Sequence, residues 1–80
     1  MKIYVTKQDI KNGRQCNAGK CPVARSLQRR FPRRFISVGP RGGTIGSNTY
    51  VMWPEPVQRF IHNFDYTLLK AKPFSFVLEL

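Results

Sequence analysis

Few residues in this chain are able to do covalent or metal chemistry. Two cysteines, Cys16 and Cys21, are separated by four residues, and the one histidine, His62, lies far downstream. A structural zinc site needs four ligands, so Cys16 and Cys21 are weak metal candidates that would have to recruit His62 together with Asp9 or Asp65. A disulfide closing so small a loop adds little. Cys21 follows Lys20 and precedes Pro22 at the start of an expected helix, and a cation and a helix N-terminus both lower a thiol pKa. A reactive thiol is one expectation; a plain loop or half-buried cysteine is the other. Catalysis has thin support. No carboxylate pair stands close in sequence, no serine lies in a G-x-S-x-G elbow, and a dyad of cysteine with His62 lacks an orienting third group. The expectation is a non-catalytic protein with no cofactor and no metal.

Arginine is the residue the chain does supply. Fourteen Lys plus Arg stand against four Asp plus Glu, for a formal net charge of +10. The acids are Asp9, Glu55, Asp65 and Glu79, and none falls between Ile10 and Pro54. Lys11, Arg14, Lys20, Arg25, Arg29, Arg30, Arg33, Arg34 and Arg41 all do. Unneutralised positive charge self-repels and disfavours a compact state, so an anionic partner is the natural reason for it. A solvated, solubilising face is the plainer alternative. A guanidinium suits bidentate contact with phosphate or carboxylate, where lysine offers a mobile point charge. Lys20, Arg25, Arg29, Arg30, Arg33, Arg34 and Arg41 are the candidate nucleic-acid or anion contacts, with Arg14 at the margin.

Three further features bear on an anion. Gly39-Pro40-Arg41-Gly42-Gly43 is a loop whose glycines allow close backbone approach and whose tip carries a guanidinium; a hairpin turn that simply needs glycine reads equally well. It lacks the Lys-Ser/Thr ending of a P-loop. The start of the Pro22 helix, with the amides of Val23 and Ala24 and with Lys20 nearby, is a second candidate. Trp53, Tyr50 and Phe35 would stack bases if exposed, although core packing is the commoner fate of such rings.

These residues have to be positioned by short elements. Lys2 to Val5 alternates as an opening strand. Thr6-Lys7-Gln8-Asp9 has the spacing of a capping box, predicting a helix over residues 7 to 12 with Gly13 as a left-handed terminator. A loop runs from Arg14 to Lys20. Pro22 opens a helix to about Phe31, with Val23, Ala24, Leu27 and Phe31 in one apolar arc, Arg25 and Arg29 on the opposite face, and Pro32 ending it. Phe35-Ile36-Ser37-Val38 is β-prone. Residues 44 to 53 form either one strand or two pieces split at Ser47-Asn48. Val57, Phe60, Ile61 and Phe64 mark an amphipathic helix. Residues 68 to 73 read as a connector, with a turn at Asp65-Tyr66-Thr67. Phe74, Phe76, Leu78 and Leu80 alternate in a closing half-buried strand. The fold class is α+β, one small domain over residues 1 to 80, with a three- to four-stranded, mainly antiparallel sheet and two or three helices packed on one face.

Thr6-Lys7-Gln8-Asp9-Ile10-Lys11-Asn12-Gly13, then Cys21-Pro22-Val23-Ala24 and Leu27, resembles a pattern of small uncharacterised phage, prophage and bacterial proteins, D-I-x-x-G followed by C-P-[VI]-A-x-x-L. Val57 to Asp65 and Lys72 to Phe76 are similar to that group's ending. The likeness spans about half the chain, omits Phe31 to Trp53, and brings no catalytic residue with it. It implies a phage-type accessory protein of the kind that blocks a host factor or defence component.

Length and composition close off other classes. Eighty residues exclude a multi-domain enzyme, and no run approaches the roughly 20 apolar residues of a membrane helix. The opening residues lack the apolar segment of a secretory signal, so a cytoplasmic location with no membrane partner is expected. The leading expectation is a small basic binding protein that engages nucleic acid through its arginine-rich face. The alternative is an inhibitor of a host defence or nucleic-acid-processing protein. It would dock on that protein's acidic surface or sequester a nucleotide signal.

Overall fold

The fold is known from a computed structural model, which describes residues 1–66 and 71–79. The chain runs through β1 (Lys2–Val5), α1 (Lys7–Asn12), α2 (Pro22–Arg30), β2 (Ile36–Val38), β3 (Gly42–Ile45), β4 (Tyr50–Met52), α3 (Glu55–Tyr66) and β5 (Phe74–Val77). The class is α+β. The strands are divided between two antiparallel sheets, a β1–β5 pair and a three-stranded β2-β3-β4 meander. Strand pairing resolves residues 44 to 53 into two pieces: Thr44 pairs with both Ser37 and Tyr50 across a turn at 46–49. The expected turn at Asp65-Tyr66-Thr67 is replaced up to Tyr66 by continued helix. Thr67, the Leu68-Leu69-Lys70 part of the connector, and Leu80 lie outside the described residues.

Alternation places the core. Ile3 and Val5 of β1 face inward opposite Phe76 and Phe74 of β5. Ile36, Val38 and Ile45 do the same from the meander. Val23, Ala24 and Leu27 give α2 its fully buried stripe, and Val57 and Ile61 anchor α3. Phe31, Phe60 and Phe74 pack half-buried against this centre. Each fully buried aliphatic side chain stabilises by about 1.5–3 kcal/mol, and α2, packed on both β1 and β2, ties the two sheets together.

Two glycines are fixed by close approach. Gly13 does not end α1 in a left-handed conformation; its backbone is extended, at φ −73° and ψ 157°. A Cβ there would lie 2.6 Å from the Asp9 carbonyl and 2.7 Å from Pro22 Cδ, so glycine is needed to bring the two helices together. At Gly43 a Cβ would meet the Ser37 carbonyl at 2.3 Å and Trp53 Cζ2 at 2.7 Å. The bare backbone there is the floor on which the indole rests. Among the described residues no helix is long and apolar enough to cross a membrane.

Candidate functional site

The arginines are sorted by one acid. Thr6 caps α1, accepting from the Asp9 amide at 3.2 Å, while the Asp9 carboxylate accepts from the Thr6 amide at 2.9 Å and hydroxyl at 3.1 Å. This capping box leaves the Asp9 side chain fully buried, facing α2. Arg29 meets it with a fork: Nη1 donates to Oδ1 at 2.7 Å and Nη2 to Oδ2 at 2.9 Å. The same Nη2 also donates to the Tyr4 carbonyl at 3.0 Å. Arg25 adds a longer charge contact, its Nε 3.8 Å from Oδ1. Burial alone would raise the Asp9 carboxyl pKa. The Arg29 hydrogen bonds, the Thr6 amide and the Arg29 charge outweigh burial and hold it below the ordinary carboxylate value. The same hydrogen bonds raise Arg29.

Arg25 and Arg29 lie together on one face of α2, as their spacing predicts, with side chains 38% and 52% exposed, but that face looks toward Asp9. Their guanidiniums turn toward Asp9, and Arg29's fork is occupied. The available signal was charge economy, since Asp9 is the only acid before Glu55 and two arginines sit four apart on one helix face.

Arg30, Arg33 and Arg34 are arranged differently. Phe31 closes α2, its amide donating to the Leu27 carbonyl at 2.8 Å. Gln28 Nε2 donates to the carbonyls of Phe31 and Arg34, both at 3.0 Å, and fixes the turn that follows. The guanidiniums of Arg30 and Arg34 each lie 5.3 Å from the Phe31 ring centroid. A cation over a ring is held by the ring quadrupole while its donors stay free. Among the described residues no carboxylate pairs with Arg30, Arg33, Arg34 or Arg41. Arg33, Arg34 and Phe35 line an open depression of about 550 Å³ whose other wall is residues 45–49.

Arg41 stands at the opposite end of the meander, on the β2–β3 turn. Trp53 braces that turn from below: its indole Nε1 donates to the Gly39 carbonyl at 3.0 Å and its amide to the Arg41 carbonyl at 2.9 Å. Trp53 is 3% exposed, which removes it from the set of base-stacking rings; Phe35 and Tyr50 are 67% and 65% exposed. Lys20 and Arg14 belong to the 13–21 loop, where the Arg14 amide donates a hydrogen bond to the Lys20 carbonyl at 2.8 Å. They sit at the N-terminal end of α2, one nine-residue helix away from Arg30, about 13 Å by helical rise. The basic stretch is thus spread over both ends of α2 and both ends of the meander.

The expected anion site at the start of α2 is also overturned. Pro22, Val23 and Ala24 are buried, and the Ala24 amide is taken by Cys21 Sγ at 3.4 Å. Cys21 is the N-cap. Burial pushes its thiol up, against the opposing pull of the Ala24 amide, so of the two expectations for Cys21 the structure favours the buried structural cysteine over the acidic, reactive thiol. Cys16 is exposed, with its amide donating to Asp65 Oδ1 at 3.0 Å. Gln15 Nε2 donates to the Phe64 carbonyl at 2.8 Å, so this loop grips the end of α3. Among the described residues no three His, Cys, Asp or Glu side chains converge as a metal site.

Asp9 as the anchor of two arginines, Phe31 as the ring beneath two others, and the 60% exposure of Met52 escaped sequence reasoning. Comparison with protein-family models, curated proteins and solved structures finds no match to this chain.

Proposed function

We propose that this chain is a non-catalytic module that binds nucleic acid through Arg30, Arg33, Arg34 and Arg41. The observation that carries this reading is the split among the arginines. Asp9 takes up the Arg29 fork and draws the Arg25 guanidinium to 3.8 Å, whereas Arg30 and Arg34 lie over the Phe31 ring, Arg33 and Arg34 line an open depression, and among the described residues no carboxylate pairs with these three. Maintaining such a group costs self-repulsion, which an anionic ligand relieves. Guanidiniums held over a ring lose little freedom on meeting phosphate, because their planes are already oriented.

Phosphate contacts release condensed counterions, and the affinity falls by a power of about 0.7–0.9 in salt for each phosphate neutralised. Four arginine contacts predict an affinity about 50- to 150-fold weaker at 200 mM than at 50 mM salt. Fluorescence anisotropy with a labelled oligonucleotide measures this. Arg33→Glu with Arg34→Glu should remove most of the binding. Affinity that ignores salt would overturn the reading. A single stoichiometric protein recovered from lysate after nuclease digestion would favour docking on an acidic protein surface instead.

A further inference from the structure

The outward face of the β2-β3-β4 meander carries large exposed side chains between two basic ends. Its register places Ser37, Thr44 and Tyr50 in one row across the three strands, and Gly42 and Met52 in the next. Phe35 immediately precedes β2, two residues before the outward-facing Ser37, and its carbonyl accepts from the Gly46 amide at 2.7 Å. The ring of Phe35 therefore stands at the edge of the same face, opposite a residue with no side chain. Tyr50 leans across the sheet toward Gly42, where a Cβ would lie 2.9 Å from its hydroxyl. Phe35, Tyr50 and Met52 are 67%, 65% and 60% exposed. The inward residues of these strands fill the core, so this exposure is confined to one side of the sheet.

We propose that the nucleic acid bound here is single-stranded, with unstacked bases resting on Phe35 and Tyr50 and phosphates held by Arg33 and Arg34 at one end of the sheet and Arg41 at the other. This rests on the nucleic-acid reading above and specifies its substrate class. Strand spacing of about 4.8 Å and a rise of about 3.4 Å per residue separate the two ring-bearing positions by roughly 12 Å. That gap is floored by the small, half-buried Ser37 and Thr44. Every base has a π-face, so two rings on an open sheet accept bases with little regard to sequence. A duplex keeps its bases stacked inward and cannot offer them to these rings. A second copy of this chain is disfavoured as the occupant, because the arginines at the sheet ends would face their own counterparts. No acid occurs between Ile10 and Pro54 to compensate.

The test compares the wild-type protein with Phe35→Ala, Tyr50→Ala and Tyr50→Phe against a short single-stranded oligonucleotide and a duplex of equal length. Each alanine substitution should weaken single-strand binding about 5- to 150-fold, leaving the salt dependence and duplex binding within twofold of wild type. Tyr50→Phe should bind as wild type, because stacking needs only the ring. Both positions are exposed, and unchanged thermal unfolding of the variants shows that the effect is local. Alanine variants that bind single strands like wild type, with a steep salt dependence retained, would overturn the stacking platform and leave the nucleic-acid reading standing. Wild-type protein that binds neither single strand nor duplex would overturn both.

Discussion

Arg29 and Arg30 are neighbours in sequence and sit in opposite situations. Consecutive residues on a helix point about 100° apart. That rotation carries Arg29 toward α1 and the buried Asp9 carboxylate, and Arg30 toward the Phe31 ring at the end of α2. Arg29 is a structural residue whose charge is matched by a fork of two hydrogen bonds, with the Thr6 amide and hydroxyl closing the remaining positions on Asp9. Arg30 and Arg34 are held by a ring that offers no counter-charge. Residue type is the same for the two groups. The position of a single acid separates them.

Asp9 is the residue on which the difference between these arginines depends. Asp9→Ala removes both a helix cap and the counter-charge of Arg29, and should cost about 2–3 kcal/mol, or roughly 10–20 °C in Tm. Arg33→Ala with Arg34→Ala should move stability by only about 0.5 kcal/mol or less. Urea or thermal unfolding of the two variants checks this, and equal costs would erase the distinction.

Arg29→Ala should have a smaller effect, about 1–2 kcal/mol, because Thr6 and the nearby Arg25 still serve the buried carboxylate. Nucleic-acid affinity per folded molecule should stay within twofold of wild type, measured by anisotropy under conditions where the variant is folded. The pH dependence follows from the lowered Asp9 pKa. As pH falls below the unfolded value of about 3.9, the unfolded chain takes up its proton first. The stability from Asp9 is thus present above that value and is lost as pH falls through it toward the lower folded value. Asp9→Asn should lack this acid-dependent loss, while being less stable at neutral pH.

The smallest effect is expected at the exposed pair of Arg59 and Glu55, one helical turn apart on α3. Glu55→Gln should cost about 0.5 kcal/mol or less, falling further with added salt. A cost matching that of Asp9→Ala would mean that burial is not what distinguishes the ion pairs.

The elements were largely legible because each is defined by local pattern. Thr6 and Asp9 announced a capping box, the spacing of Val57, Phe60, Ile61 and Phe64 a helix, and the alternation of Phe74, Phe76 and Leu78 a strand. The candidate site was legible only as an inventory. Arg30, Arg33, Arg34 and Arg41 were named from charge. The capture of Arg29 by Asp9, and the approach of Arg25 to it, depend on contacts spanning 20 and 16 residues, which no local window contains. Trp53, Tyr50 and Phe35 looked alike as aromatic residues near a hairpin. Sheet register decided that Trp53 lies under Gly43 while the other two rings face solvent. The neighbours of Cys21 left a reactive thiol and a half-buried cysteine both open, and its burial as the N-cap of α2, which raises the thiol pKa, decides for the second.

The sequence by itself determined the α+β class, most element boundaries, and the size and sign of the charge excess over residues 11 to 41. Hydrophobic period, caps and composition are properties of neighbouring residues, and they survive any arrangement of the elements. The packing of the elements settled which arginine is paired with the buried Asp9, which aromatic rings are buried, and that the strands divide into two sheets. Those outcomes depend on which faces meet across the chain. Asp9, the one buried acid among the described residues, illustrates the point, because moving it away would change the role of Arg29 without altering a residue beside it.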